Sequence, residues 1–364
     1  MNKLKLLLAL FFVLGMVKTS YGQSLKTEHI FLITLDGLRW EELFGGAVDT
    51  LMNDTEYVSD TTALQSLFNA STAKERREKL LPWLWQVIGQ QGQLYGNRWL
   101  NNKVDCSNSF WFSYPGYNEI LVGYSDSRIS SNDKVYNPNK TVLEWINEHP
   151  VFNGRVAAFG SWDVFPYIIN DKRSRIPVNA GYRLAEGYNL TEKEQLLNQL
   201  QAEIPGHWSS VRMDAFTQHY ALEYLKKKHP RLLYISYGET DDFAHDGRYD
   251  QYLKSAHQTD NWIEQLWQYA QSDPFYAGKT TFIITTDHGR GASPKAGWKS
   301  HGKAQAGSNA IWIAVLGPDT PALGEVTTNS QLWQNQIAKT LAAFLGFDYT
   351  NEKEVGDRIK TVMK

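Results

Sequence analysis

The residues best suited to chemistry stand where apolar runs stop. Phe282-Ile283-Ile284 gives way to Thr285-Thr286-Asp287-His288-Gly289-Arg290-Gly291. β-branched and aromatic residues cut off by a polar pair and two glycines read as a buried strand delivering Asp287 and His288 to its C-terminal end. Open α/β sheets keep their sites at that end. A carboxylate beside an imidazole suits a divalent metal such as zinc, and glycines permit close approach; the same residues also fit a plain turn. His29 to Leu35 is a second such run, ending in Asp36-Gly37, and Arg231 to Tyr237 a third, leading into Gly238-Glu239-Thr240-Asp241-Asp242-Phe243-Ala244-His245. Asp36 by itself is better read as a helix N-cap. Asp241 and His245, four apart, can converge on one metal from a turn or short helix. His301 follows in the loop Trp298 to Gly302. Ser113 sits in Phe110-Trp111-Phe112-Ser113-Tyr114-Pro115-Gly116-Tyr117-Asn118, just before the apolar Ile120-Leu121-Val122. A helix N-terminus there would favour a nucleophile or a bound phosphate, and an N-cap serine beside packed aromatics is the other reading.

These residues need a sheet to bring them together. Strands are expected at His29 to Leu35, Val156 to Trp162, Arg231 to Tyr237, Thr281 to Thr286 and Ala310 to Val315. Helices are expected at Leu80 to Gly89, Thr191 to Ala202, Met213 to Lys228 and Leu332 to Leu345. Polar stretches at 45–79, with one charged helix from Ser71 to Lys79, and at 163–211 read as insertions, the second able to cover the site. Lys3 and Lys5, the apolar run Leu6 to Met16 and Ser20-Tyr21-Gly22 form a secretory signal peptide over 1–22. The remainder, 23–364, is read as one domain, exported and most simply periplasmic, with no later run long enough to span a membrane. Removal of the leader takes three of 37 basic residues, leaving 34 against 39 acidic ones. That balance argues against a nucleic-acid partner. The single cysteine, Cys106, excludes an internal disulfide framework. With 42% hydrophobic residues and 13 tryptophans, a large apolar core must supply the stability.

The order Asp36, Ser113, Asp241 with His245, Asp287 with His288, then His301 resembles the alkaline phosphatase superfamily of two-metal hydrolases, most of all its type I phosphodiesterase/nucleotide pyrophosphatase branch. The resemblance spans nearly the whole chain after the leader. It implies a doubly wound, mostly parallel central sheet with helices on both faces and an inserted cap region. It implies two divalent metal ions, zinc by the Asp and His set with manganese the alternative, one held by Asp241, His245 and His301 and the other by Asp36, Asp287 and His288. Ser113 stands at the nucleophile position, at the metals, and would attack phosphorus to form a phospho-serine. A small-molecule phosphate ester is the implied substrate.

Departures from the family pattern bear on the substrate. The diesterases usually carry Thr followed by Phe-Pro-Asn-His, where this chain has Ser113-Tyr114-Pro115-Gly116-Tyr117. Sulfatases have an Arg where Tyr117 stands, which makes sulfate ester hydrolysis a minor alternative. A phosphate-donating Asn lies about twenty residues past the nucleophile in the diesterases, and Asn132 fits that place with Asn118 as its rival. Tyr114 is a candidate for stacking on an aryl leaving group, whereas Trp111 and Phe112 read as core. Lys172, Arg173 and Arg175 are candidates for the extra cation a monoester dianion wants, or form a solvated loop. A phosphoglycerate-mutase-like transferase and a non-catalytic binding protein are the remaining alternatives.

Overall fold

Every residue from His29 to Leu35 is buried, which a strand achieves when both faces of its sheet are covered. In the computed structural model, which describes residues 25–364, this stretch is β1, and it lies inside the main sheet. The further strands are β2 (Gln93–Tyr95), β3 (Asn102–Asp105), β4 (Val156–Gly160), β5 (Val178–Ala180), β6 (Leu232–Tyr237), β7 (Thr280–Thr285), β8 (Ala310–Ile311), β9 (Ile313–Leu316), β10 (Gly324–Glu325) and β11 (Ser330–Trp333). The main sheet has the order β10-β2-β9-β7-β1-β6-β4-β5, and only β9 runs against the others. A small second sheet has the order β11-β3-β8. The signal-peptide reading falls outside the described residues. Among those described, no helix is long and apolar enough to cross a membrane.

Alternation along β1 sends Phe31, Ile33 and Leu35 into one apolar core and Ile30 and Leu32 into another on the opposite face. The helices Asp214–Lys228 and Tyr249–Ser272 close the first core, and Ser113–Val122 and Gln336–Phe344 close the second. Ile120, Leu121 and Val122 are completely buried there, each contributing about 1.5–3 kcal/mol to holding that helix on the sheet. The result is the doubly wound, mostly parallel α/β architecture expected from the sequence.

Strand register decides where the site forms. Leu35 pairs with Tyr237, and Thr34 with both Ser236 and Thr285. β1, β6 and β7 therefore end level, and Asp36, Gly238 and Asp287 leave the sheet side by side.

Several elements differ from expectation. The Ala310 to Val315 run divides at Trp312 into β8 and β9, which join different sheets; its uniformly apolar sequence carries no period that could mark the break. The last helix begins at Gln336, and Ser330–Trp333 before it is a strand. Segment 45–79 holds the helices Asp49–Met52 and Thr61–Phe68 and most of Ala73–Leu80, the last opened by a Thr72 and Glu75 capping box. Segment 163–211, expected as an inserted cover, supplies β5 at one edge of the main sheet. Leu84–Ile88 is a π-helix, and its leading Trp83 and Leu84 N–H groups donate to the buried Asp260 carboxylate at 2.7 and 2.9 Å.

Burial pushes the Asp260 carboxyl up to about 7 against the pull of those two bonds. The folded value exceeds the unfolded one, so stability from this group is full below about pH 4 and is lost as pH rises through 7. Asp260→Ala leaves both donors without partners and is expected to cost about 2 kcal/mol in urea unfolding at pH 5. The cost should shrink by pH 9, where the native carboxylate is itself a burden. A cost that grew with pH would refute this account.

Candidate metal centre

Asp36 from the tip of β1, Asp287 and His288 from the tip of β7, and Asp241 from the helix Glu239–His245 after β6 meet above the sheet. Two groupings keep their ligand atoms within 4.8 Å of one another: Asp36, Asp287 and His288, and Asp241, His288 and His301. His288 Nε2 lies at the junction, 3.3 Å from Asp36 Oδ1, 3.4 Å from Asp287 Oδ2 and 3.8 Å from Asp241 Oδ1. His245, half-exposed at the rim, places Nε2 3.2 Å from Asp241 Oδ2 and 2.9 Å from His301 Nε2. Each of the six residues that the resemblance proposes as ligands is therefore in one cluster.

The donor atoms suit a divalent ion. Among the described residues, Asp36 Oδ1 and Asp287 Oδ2 are buried without a hydrogen-bond partner, and both face His288 Nε2. Their sister oxygens are occupied: Asp36 Oδ2 accepts from the Tyr117 hydroxyl at 2.8 Å, and Asp287 Oδ1 from the Gly37 N–H at 3.1 Å. His288 Nδ1 lies 2.9 Å from the Gly289 carbonyl, which only accepts, so Nδ1 carries the proton and Nε2 keeps its lone pair. Carboxylates anchored by one oxygen and an imidazole fixed in one tautomer are the usual support of a metal site.

Electrostatics point the same way. Burial, with the Asp241 charge beside it, holds the Asp36 carboxyl well above its ordinary range, and burial with the Asp36 charge does so for Asp287. Burial also pushes Asp241 up, but the Arg290 guanidinium, then His245 and His301, more than offset it, and its carboxyl falls well below the usual value. Burial, the largest influence on it, pushes His301 down. Arg290 was visible in the sequence only as part of the motif. Its buried guanidinium pairs with Asp241 and donates to the Trp298 carbonyl at 2.7 Å and the Lys299 carbonyl at 2.6 Å. Gly37 makes room for it: with φ at +59°, a Cβ there would lie 2.8 Å from Arg290 Nη1 and 2.9 Å from Asp241 Oδ1.

Ser113 opens the helix Ser113–Val122, with Oγ 3.4 Å from His288 Nε2. The loop before it is held from inside the helix. Glu119 accepts from the Ser107 and Asn108 N–H groups at 2.7 and 2.8 Å, and Asn108 Oδ1 accepts from Phe110 and Trp111 at 3.0 Å each. This supports the left-handed backbone of Trp111, φ +54°, which costs a non-glycine residue about 1–3 kcal/mol. Asn132 Oδ1 accepts from the Tyr114 N–H at 3.0 Å, in the first turn beside Ser113.

Other candidates lie elsewhere. Asn118 is fully buried, donating to the Tyr124 carbonyl and accepting from Asn137 and Asn139, so its amide is committed to the interior. Tyr114 is also buried, its hydroxyl donating to the Val135 carbonyl at 2.7 Å, and its ring offers no open stacking face. Trp111, read as core, is half-buried and packs against the second core, whereas Phe112, also read as core, is half-buried with Phe110 edge-on to it. Arg173 pairs with Glu144 and donates to the carbonyls of Asn137, Pro138 and Asn139. Lys172 sits over the Tyr136 ring. The local period of an irregular segment cannot reveal such distant partners.

The Ser113 helix and the Asp287 backbone touch at Gly116, where a Cβ would come within 2.3 Å of the Asp287 carbonyl oxygen. Gly116→Ala is expected to push the Ser113 helix off β7, lowering stability by about 1–3 kcal/mol in denaturant titration. Unchanged stability would mean that the contact relaxes freely.

No family model matches this sequence, and no curated protein does. Solved structures do. Wild-type alkaline phosphatase PafA is 11% identical over 93% of this chain and 99% of its own, with a TM-score of 0.59. The lipoteichoic acid synthase LtaP from Listeria monocytogenes is 11% identical, covering 89% of this chain and 73% of its own, at 0.55. A 2-O GAG sulfatase is 11% identical, covering 92% and 74%, also at 0.55. At these identities the likeness is one of fold: the chain shares the architecture of this phosphatase, this synthase and this sulfatase.

Proposed function

We propose that this protein is an exported two-metal hydrolase of phosphate esters that works through a phospho-serine on Ser113. The observation that carries the reading is the serine hydroxyl at a helix N-terminus, 3.4 Å from His288 Nε2, beside two buried carboxylate oxygens that have no partner among the described residues. Asp36, Asp287 and His288 would hold one zinc ion and Asp241, His245 and His301 the other. The ions would supply the positive charge that favours the serine alkoxide and the departing oxygen. Ser113 Oγ attacks phosphorus, the ester oxygen leaves, and water then cleaves the phospho-serine. In the first turn the Tyr114 N–H is taken by Asn132, Pro115 has none and that of Gly116 goes to the Phe112 carbonyl, which leaves the Ser113 N–H and Asn132 Nδ2 for the phosphate oxygens. Phe110, Trp111 and Phe112, all half-buried beside the serine, favour a substrate with an aryl or other apolar substituent.

The test combines metal analysis with turnover of p-nitrophenyl phosphate, bis-p-nitrophenyl phosphate and p-nitrophenyl sulfate by protein beginning at Gln23. About two zinc per chain and preference for a phosphate ester are expected. Ser113→Ala should keep its metal and lose kcat by about a thousandfold or more. Full turnover by that variant, or preference for the sulfate, would overturn the reading.

A further inference from the structure

Tyr117 occupies the place where sulfatases of this superfamily carry an arginine, and the proposed reaction gives it no part. Its side chain is nevertheless fully buried at the centre, four residues and one helical turn beyond Ser113. Its ring packs edge-on to Phe165 with centroids 4.8 Å apart. Its hydroxyl lies 2.8 Å from Asp36 Oδ2 and 3.1 Å from Ser236 Oγ. A carboxylate only accepts, so the phenol gives its one proton to Asp36 and receives the serine's. One hydroxyl thus ties together the nucleophile helix, the tip of β1 and β6.

The consequence falls on the other oxygen of Asp36. With Oδ2 fixed by the phenol, Oδ1 is left buried, unpartnered and 3.3 Å from His288 Nε2. We propose that Tyr117 is a positioning residue that aims Asp36 Oδ1 at a metal ion and sets Ser113 in register with it. This rests on the two-metal reading above. A hydrogen bond from outside the ligand set orients a metal-binding carboxylate and is worth about 10- to 100-fold in affinity. The arginine of the sulfatase pattern cannot act through one neutral donor as a phenol does, because it brings a charge and a fork of donors.

The experiment measures zinc affinity by chelator competition, together with kcat, KM and their pH profiles, in the full chain after the leader. Tyr117→Phe keeps the ring and removes only the hydroxyl. One of the two zinc sites is expected to weaken about 10- to 100-fold while the other is unchanged, and kcat should fall with little change in KM. Tyr114→Phe is the control, since it removes an equally buried phenol from the same helix that touches no ligand; its zinc affinity should match wild type. Ser236→Ala, which leaves the bond to Asp36 in place, should weaken the same site less and keeps the test open if Tyr117→Phe does not fold. Zinc affinity within twofold of wild type at both sites in Tyr117→Phe would overturn the proposal. So would equal losses in Tyr114→Phe, which would trace the effect to helix packing. A wild-type protein that bound no divalent ion would instead bring down the two-metal reading itself.

Discussion

Three carboxylates held within a few ångströms of one another repel, and burial makes that repulsion expensive because water cannot screen it. Asp36, Asp241 and Asp287 are in this position, and much of the surrounding structure can be understood as what makes it tolerable. Arg290 stabilises Asp241 directly. Tyr117 and the Gly37 N–H each take one oxygen of Asp36 and Asp287. What they leave uncompensated is visible in the two carboxyls held above their ordinary range and in two oxygens without partners. A site built to remain charged and empty would have been given more donors. This one is incomplete in a direction that a cation completes.

The level ends of β1, β6 and β7 turn that electrostatic problem into a geometry. Each acid arrives from a different strand or the helix after it, so no local rearrangement can separate them. The backbone beneath is paired on both sides and buried in two apolar cores. Rigid placement costs the site nothing extra, since burial of the strands already stabilises the sheet. Ser113, the proposed nucleophile, comes from the other direction, on a helix whose contact with Asp287 admits only a glycine at position 116.

Much of this was legible in the sequence because the signals are local. β1, β4, β6 and β7 are apolar runs that stop at polar residues, and each was placed to within two residues. The acids and histidines that follow them fall together as their positions implied. What could not be read depends on long-range partners. Tyr114 and Tyr117 are three apart in one helix, and nothing local says that one hydroxyl reaches the Val135 carbonyl and the other Asp36. Arg173 looked like a free cation because Glu144, 29 residues earlier, gives no sign of pairing with it. β2, β3, β10 and β11 are two to four residues long and lack a period of their own. Trp111 adopts a left-handed backbone that its residue type does not announce.

Arg290 also bears on which anion the site would accept. The three ionised carboxylates with one guanidinium leave a formal charge of −2, histidines neutral. Two divalent ions would reverse it to +2, the complement of a dianion. Without Arg290 the same ions would leave +1. The guanidinium is too buried, and too fully engaged with Asp241, Trp298 and Lys299, to touch a ligand itself. Its charge still acts at a distance, since a low-dielectric interior screens it weakly. A cation behind the ligands can therefore raise the attraction for an anion without occupying the space in front of them, and that leaves the mouth of the site to the half-buried aromatics of the loop before Ser113.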